Sequence, residues 1–260
     1  MENLNFEKIF EKEAHRKEMN DIKYTAVLIE PRQHKAFHLV LNNFLTNLSD
    51  EWGFVIFNGT KNKEFLQNLI SSHFEKYKHK IQLIQMNREN ITSKEYNNIL
   101  CSTEIYEYIP TEIFLIFQMD TLIWSENKDC INYFLQYEYD YVGAPWAPIL
   151  MEPWLSKIRN GNVVGNGGLS LRRKSKMLEI INTSKKNDEN VEDLFFSFPQ
   201  NCHINKPPLE MAKKFSIETI FNHKSFGIHK AWAYMNEKDL EYLTKNIPEL
   251  HELMRLNDAI

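Results

Sequence analysis

Runs of apolar residues short enough for strands alternate with helical stripes through the first half of the chain. Thr25–Glu30 is β-branched and apolar and ends on Glu-Pro, a strand followed by a stop. Phe37, Val40, Leu41, Phe44, Leu45 and Leu48 then recur at spacings of three and one, which puts them on one helical face. A strand over Phe54–Phe57 leads through Asn58-Gly59 to a second helix with Phe65, Leu66, Leu69, Ile70 and Phe74 on one side. Ile81–Ile84 predicts a third strand, Ser93–Tyr108 a weaker helix, and Ile113–Phe117 a fourth strand. Units of roughly thirty residues in this order are the signature of right-handed βαβ crossovers and a mostly parallel sheet.

Beyond Asp120 the regularity fails. Tyr139–Trp154 holds three prolines and two tryptophans, Arg159–Gly168 is rich in Gly and Asn, and Cys202–Pro208 reads as a loop. A regular half followed by an irregular one predicts a nucleotide-binding α/β layer over residues 24–124 and an acceptor-binding half over 125–235. A charged arm (1–23) precedes them and a C-terminal helix (236–260) follows, with 24–260 expected to form one domain.

Composition narrows the function. With 260 residues, 43% of them hydrophobic and 25% charged, the chain is too apolar to be disordered. A formal charge of −4 disfavours a nucleic-acid partner, which calls for a clustered basic surface. Cys101, Cys130 and Cys202 form no C-x-x-C pair, so neither a zinc knuckle nor a disulfide framework is indicated, and a reducing compartment is the simple reading. No stretch approaches the ~18 apolar residues of a spanning helix, and the N-terminus lacks the apolar core of a signal peptide. A soluble, cytoplasmic protein with no membrane span is expected. Oligomeric state leaves no mark on the sequence.

Candidate chemistry gathers at the strand ends. Asp120 closes the fourth strand, where an open α/β sheet keeps its ligands. The alternative is a carboxylate that merely caps a turn. Val163–Ser170 (V-V-G-N-G-G-L-S) is a Gly-rich segment able to approach a sugar or pyrophosphate closely, or a plain tight turn. Glu192 and Asp193 form an acidic pair that suits proton abstraction or, equally, a helix N-terminus. Trp146, Trp154 and Trp232 stand on irregular segments, where an indole stacks on a sugar or packs in a core.

The ordered segments A-V-L-I-E-P-R (Ala26–Arg32), F-Q-M-D (Phe117–Asp120), Y-D-Y-V-G-A-P-W (Tyr139–Trp146), V-G-N-G-G-L-S-L-R (Val164–Arg172), E-D-L-F-F-S (Glu192–Ser197) and F-G-I-H-K-A-W (Phe226–Trp232) together resemble a poorly characterised family of glycosyltransferase-like proteins carrying a domain of unknown function. The resemblance spans roughly Tyr24–Trp232. It implies a GT-A-type fold: a Rossmann-like nucleotide-sugar layer with a mostly parallel sheet, joined to an acceptor half. It also implies transfer from a nucleotide-diphosphate sugar to a glycan or other hydroxyl acceptor, inverting rather than retaining.

Carried onto these residues, the resemblance assigns the donor to Glu30, Arg32, Gln118, Asp120, Gly167, Gly168, Arg172 and Lys230, and the acceptor to Trp146 and Trp232, with an ordinary surface or ion-pair residue the equal alternative for Arg172. It implies Mn²⁺ or Mg²⁺ held by Asp120 and His229, with Asp193 as base and Glu192 as an acceptor contact or structural ligand. Many GT-A enzymes have Asp-x-Asp where this chain has Gln118-Met119-Asp120, so an amide replaces one carboxylate. That substitution motivates the alternative of a catalytically inactive nucleotide-sugar or carbohydrate-binding protein on the same fold. A nucleotidylyltransferase is disfavoured, because Glu30-Pro31-Arg32-Gln33 lacks the Gly-rich basic loop expected after its first strand.

Overall fold

The structure, a computed structural model, describes residues 9, 10, 19, 21–147, 163–184 and 191–260. Trp154 and most of the charged arm lie outside them. The first half alternates as expected: β1 (Tyr24–Glu30), α1 (Phe37–Asn47), β2 (Trp52–Asn58), α2 (Lys63–His73), β3 (Ile81–Gln85), α3 (Ser93–Leu100) and β4 (Ile113–Phe117). These four strands pair in parallel, β1 lying between β2 and β4 with Tyr24 opposite both Trp52 and Ile113. Their apolar runs are continuous because a parallel sheet is covered on both faces. Ala26, Leu28, Phe54, Ile56, Leu115 and Phe117 face one core, whereas Val27, Ile29, Val55, Phe57, Phe114 and Ile116 face the other. On the first face Phe44 of α1 stacks on Phe117, their ring centroids 4.1 Å apart.

Two expected helices are interrupted. The predicted helix over Ser93–Tyr108 ends at Leu100, and a 3₁₀ turn occupies Glu104–Tyr108. The break is held by the Ser102 hydroxyl donating to the Ile99 carbonyl (2.9 Å) and the Tyr106 hydroxyl donating to that of Leu100 (2.8 Å). The C-terminal helix divides into two segments, Glu237–Asn246 and Glu249–Leu256, at Ile247-Pro248. Proline has no N–H to continue the first segment.

The second half adds β5 (Thr121–Ile123), α4 (Cys130–Gln136), β6 (Tyr141–Gly143), β7 (Ser170–Arg173), α5 (Lys174–Thr183), α6 (Glu192–Ser197), α7 (Leu209–Ala212), β8 (Ser216–Ile217) and β9 (Gly227–His229), with the C-terminal segments as α8 and α9. β7 joins β4 antiparallel, giving a six-stranded order β3-β2-β1-β4-β7-β6. A second sheet runs β5-β9-β8. Buried Asn43 of α1 ties it to the first layer, donating to the Ile123 carbonyl (3.0 Å) and accepting the Ile123 N–H (2.7 Å).

This topology fixes where a ligand goes. From β1 the chain proceeds to β2 and β3 on one side, then crosses to place β4 on the other, so strand order reverses between β1 and β4. Open α/β sheets bind ligands in the crevice beyond such a switch point. The small sheet closes that crevice, because β5 pairs Thr121 with His229 of β9 and so draws the C-terminal segment against the end of β4. Among the described residues, no helix is long and apolar enough to cross a membrane.

Candidate functional site

A cavity of about 470 Å³ opens beyond the carboxyl ends of β1 and β4. The β1 end contributes Glu30, Pro31, Arg32 and His34, and the β4 end Gln118, Met119 and Asp120. Asn166, Gly167 and Gly168 precede β7, Glu192 and Asp193 open α6, and His229 ends β9. The N-terminus of α3 forms the rim with Thr92, whose hydroxyl and the Glu95 carboxylate cap each other's backbone N–H groups.

At the β1 end the Arg32 guanidinium grips buried Glu30 through two bonds of 2.8 and 2.7 Å. Glu30 also accepts the Arg32 backbone N–H (2.9 Å), and the Asn62 amide donates to the carbonyls of both residues (2.9 and 2.8 Å). The turn is therefore rigid, and it presents a half-exposed guanidinium whose charge Glu30 already balances. His34 beside it was not anticipated. Its Nδ1 accepts the Ala36 N–H (3.1 Å), which leaves Nε2 as the ring's remaining hydrogen-bonding atom.

Asp120 and His229 meet on one wall. Asp120 Oδ1 lies 3.4 Å from His229 Nε2, and the Lys230 N–H donates to the Asp120 carbonyl (2.9 Å). Burial opposes ionisation of Asp120, but His229 and Lys230 hold its carboxyl below the usual range. Burial likewise opposes the imidazolium of His229, yet Asp120 and Glu218 outweigh it and raise the group to about 10. A cation binding here must displace that proton, so His229 is not the free neutral imidazole that the sequence suggests.

The donor set fits one divalent cation. Asp120 Oδ1 is buried and, among the described residues, makes no hydrogen bond of good geometry, its neighbour being the His229 Nε2 ion-pair partner at 3.4 Å, which leaves room for a ligand to take up that oxygen. Two donors about 2.1 Å from one ion at octahedral or tetrahedral angles lie roughly 3.0–3.4 Å apart, which matches their separation. Among the described residues no group of three or more His, Cys, Asp or Glu side chains is arranged to hold a metal. One carboxylate with substrate phosphates completing the shell is a common way to bind Mg²⁺.

Arg172, expected at the diphosphate, lies elsewhere. It is 1% exposed and grips Glu192 through bonds of 2.9 and 3.1 Å, donates to Ser170 Oγ (2.9 Å), and stacks over the Tyr141 ring at 4.8 Å. That pairing also occupies Glu192. Asp193, one position on, faces differently, as the 100° step of a helix requires. Its carboxyl is pushed up to about 7 by burial and then by the Glu192 charge.

The glycines serve this packing. A Cβ on Gly167 would strike the Glu192 carboxylate, and one on Gly168 would strike the His229 ring. Gly165 has a φ of 158° and backs onto Ser197. These close approaches are to the protein's own side chains, where the sequence suggested approach to a ligand.

The remaining candidates lie off the cavity wall. Trp146 is buried against Phe198 (6.2 Å between centroids), Trp232 packs against the main core, and Lys230 is exposed in a left-handed turn with φ 46°. Glu218 and Asn166 were overlooked: Glu218 Oε1 sits 3.2 Å from His229 Nδ1, and Asn166 Oδ1 sits 3.0 Å from the same atom.

A family model described as protein of unknown function (DUF5672) matches residues 80–229, from the last residue before β3 to His229. The chain belongs to that family. The match includes Asp120, Asp193 and His229 but not Glu30 or Arg32. No curated protein matches the chain.

Among solved structures, the Q189E active-site mutant of LgtC aligns with a TM-score of 0.54 at 11% identity, over 88% of this chain and 95% of that one. The galactosyltransferase LgtC in complex with donor and acceptor sugar analogs aligns at 0.53 and 10%, over 91% and 96%. The mannosyltransferase PcManGT from Pyrobaculum calidifontis, in complex with GDP-Man and Mn²⁺, reaches 0.48 at 10% identity over 72% of this chain, which spans about half (55%) of its length. At these identities the likeness is one of fold. The DUF5672 chain has a GT-A-like α/β fold with a mostly parallel central sheet.

Proposed function

We propose that this DUF5672 chain is a glycosyltransferase that moves a sugar from a nucleotide-diphosphate donor to a hydroxyl acceptor. The observation that carries the reading is the cavity at the β1/β4 switch point, with Asp120 and His229 on one wall and the raised carboxyl of Asp193 on another. Its GT-A-like fold, shared with a galactosyltransferase, supports the same reading.

In the proposed reaction the donor lies across the ends of β1 and β4. The Glu30–Arg32 turn and His34 border its nucleoside, while Asp120 and His229 face its diphosphate. A divalent cation, when held by Asp120 and His229, supplies charge that stabilises the departing diphosphate. Asp193 takes the proton of the acceptor hydroxyl as that oxygen attacks the anomeric carbon and the bond to the diphosphate oxygen breaks, which inverts the anomeric centre. A carboxyl raised to about 7 is matched to this task near neutral pH. Glu192 is held away from the role by Arg172.

A nucleotide-sugar-binding protein without catalysis is the second reading. Gln118, in the cavity wall where many GT-A enzymes carry an acid, favours it. Incubation with a panel of nucleotide sugars and Mn²⁺, with and without simple glycoside acceptors, separates the two. Release of nucleoside diphosphate, lowered on the order of 10²-fold or more by Asp193→Asn, is expected of a transferase. Binding of a nucleotide sugar without turnover favours the second reading.

A further inference from the structure

β8 and β9 run parallel with Ser216 opposite Gly227 and Ile217 opposite Ile228, so one further step along each strand brings Glu218 beside His229. Glu218 is buried and is not part of the cavity wall. Its Oε1 lies 3.2 Å from His229 Nδ1 and accepts the Asn166 amide N–H at 2.8 Å. That bond orients the Asn166 amide, because a carboxylate accepts only from the nitrogen end. Asn166 Oδ1 thereby turns to the same His229 Nδ1 at 3.0 Å and also accepts the Gly168 N–H at 3.1 Å.

Two acceptors on Nδ1 require that nitrogen to carry a proton. The other, Nε2, is then the atom that offers a lone pair once a cation has displaced its proton, and it faces Asp120 Oδ1 at 3.4 Å. Glu218 Oε2, meanwhile, is buried without a hydrogen-bond partner among the described residues. An unpartnered buried carboxylate oxygen weakens the fold, so Glu218 is poorly explained as a stabilising residue. It is well explained by a partner on the far side of the ring.

We propose that Glu218 is the positioning residue that holds the His229 ring with Nδ1–H turned inward and Nε2 turned toward Asp120, so that the two present one nitrogen and one oxygen to a single divalent cation. This rests on the proposed donor site, which assigns Asp120 and His229 to the cation. Carboxylates behind ligating histidines fix ring orientation and raise the ring's basicity, and their removal typically lowers metal affinity 10–100-fold. Asn166 completes the arrangement by bridging Glu218 to the Gly-rich segment, which explains an asparagine between its glycines.

The test is Mn²⁺ titration of the full chain, alone and with UDP or GDP, read by the loss of the free-ion spin-resonance signal. It is combined with echo-modulation spectroscopy of the bound ion to detect a coupled imidazole nitrogen. Glu218→Gln is expected to raise the Mn²⁺ dissociation constant 10–100-fold and to weaken the nitrogen coupling, with an unchanged thermal midpoint. Glu218→Asp, which keeps the charge one methylene further back, is expected to recover part of the affinity, and it serves alone if the glutamine variant does not fold. Unchanged affinity and nitrogen coupling in these variants, with the parent binding Mn²⁺, overturn the role of Glu218 and leave the donor site standing. Failure of the parent to bind Mn²⁺ under any of these conditions overturns the cation reading and this proposal with it.

Discussion

Replacing Arg172 with methionine is expected to damage the fold far more than the binding of a donor. The guanidinium is fully enclosed, and its removal leaves the Glu192 carboxylate 4% exposed with no countercharge in contact among the described residues. It also removes the donors to Ser170 Oγ and to the Tyr141 hydroxyl (3.3 Å). Breaking a buried ion pair from one side costs about 3–5 kcal/mol, the penalty of the uncompensated charge. At roughly 2–4 °C per kcal/mol for a chain near this size, the thermal midpoint should fall by roughly 6–20 °C. Pairing Arg172→Met with Glu192→Leu removes the orphaned charge, so the double variant should recover most of that loss. Urea and thermal unfolding of the parent, both singles and the double variant give the coupling directly. An Arg172→Met protein with the parent's stability but weakened UDP or GDP binding would refute the argument and return Arg172 to the diphosphate.

Four further outcomes follow from the geometry. Asp193→Asn should lower turnover on the order of 10²-fold or more while donor binding persists, the usual scale for losing a general base. Activity of the parent should rise with pH through about 7 as Asp193 ionises, and the asparagine variant should lose that limb. The stability effect has the opposite sign: the folded protein keeps a proton that the unfolded chain releases near its reference value of about 3.9. Stability contributed by Asp193 therefore falls between about pH 4 and pH 7, and Asp193→Asn should flatten that slope in thermal scans across this range. Gly168→Ala drives a methyl into the His229 ring, so it should weaken Mn²⁺ binding about as much as His229→Ala does; an alanine variant with the parent's affinity would show the ring to be free to move.

The first half of the fold was legible because its signals are local. Alternating apolar runs and helical stripes located all four parallel strands, and Ile113–Phe117 falls where the spacing predicts it. Its misses are equally physical: Ser93–Tyr108 has a helical stripe, but side-chain bonds at Ser102 and Tyr106 close the helix early. The site was legible only as far as motifs carry it. Adjacent positions on a helix already imply that Asp193 and Glu192 diverge, but Asp120 and His229 come together because β5 pairs with β9, which spacing does not report. Arg172 and Glu192 look like functional residues in sequence because a buried ion pair uses the same side chains as a phosphate site. Glu218 stands in Phe215–Thr219, a segment with no motif, and only the parallel register of β8 with β9 brings it to His229. Asn166 stands in V-G-N-G-G-L-S-L-R, a motif marked in sequence by its glycines, although the asparagine amide does the bridging.

The central claim is tested most directly by following nucleoside diphosphate release from a panel of UDP-, GDP-, ADP- and dTDP-sugars with Mn²⁺ and mixed glycoside acceptors, comparing the parent with Asp120→Asn and Asp193→Asn. The account predicts release from at least one donor. Asp120→Asn should weaken Mn²⁺-dependent donor binding, and Asp193→Asn should lower turnover on the order of 10²-fold or more without loss of binding. Failure of the parent to bind or turn over any nucleotide sugar, or turnover indifferent to both substitutions, would contradict it.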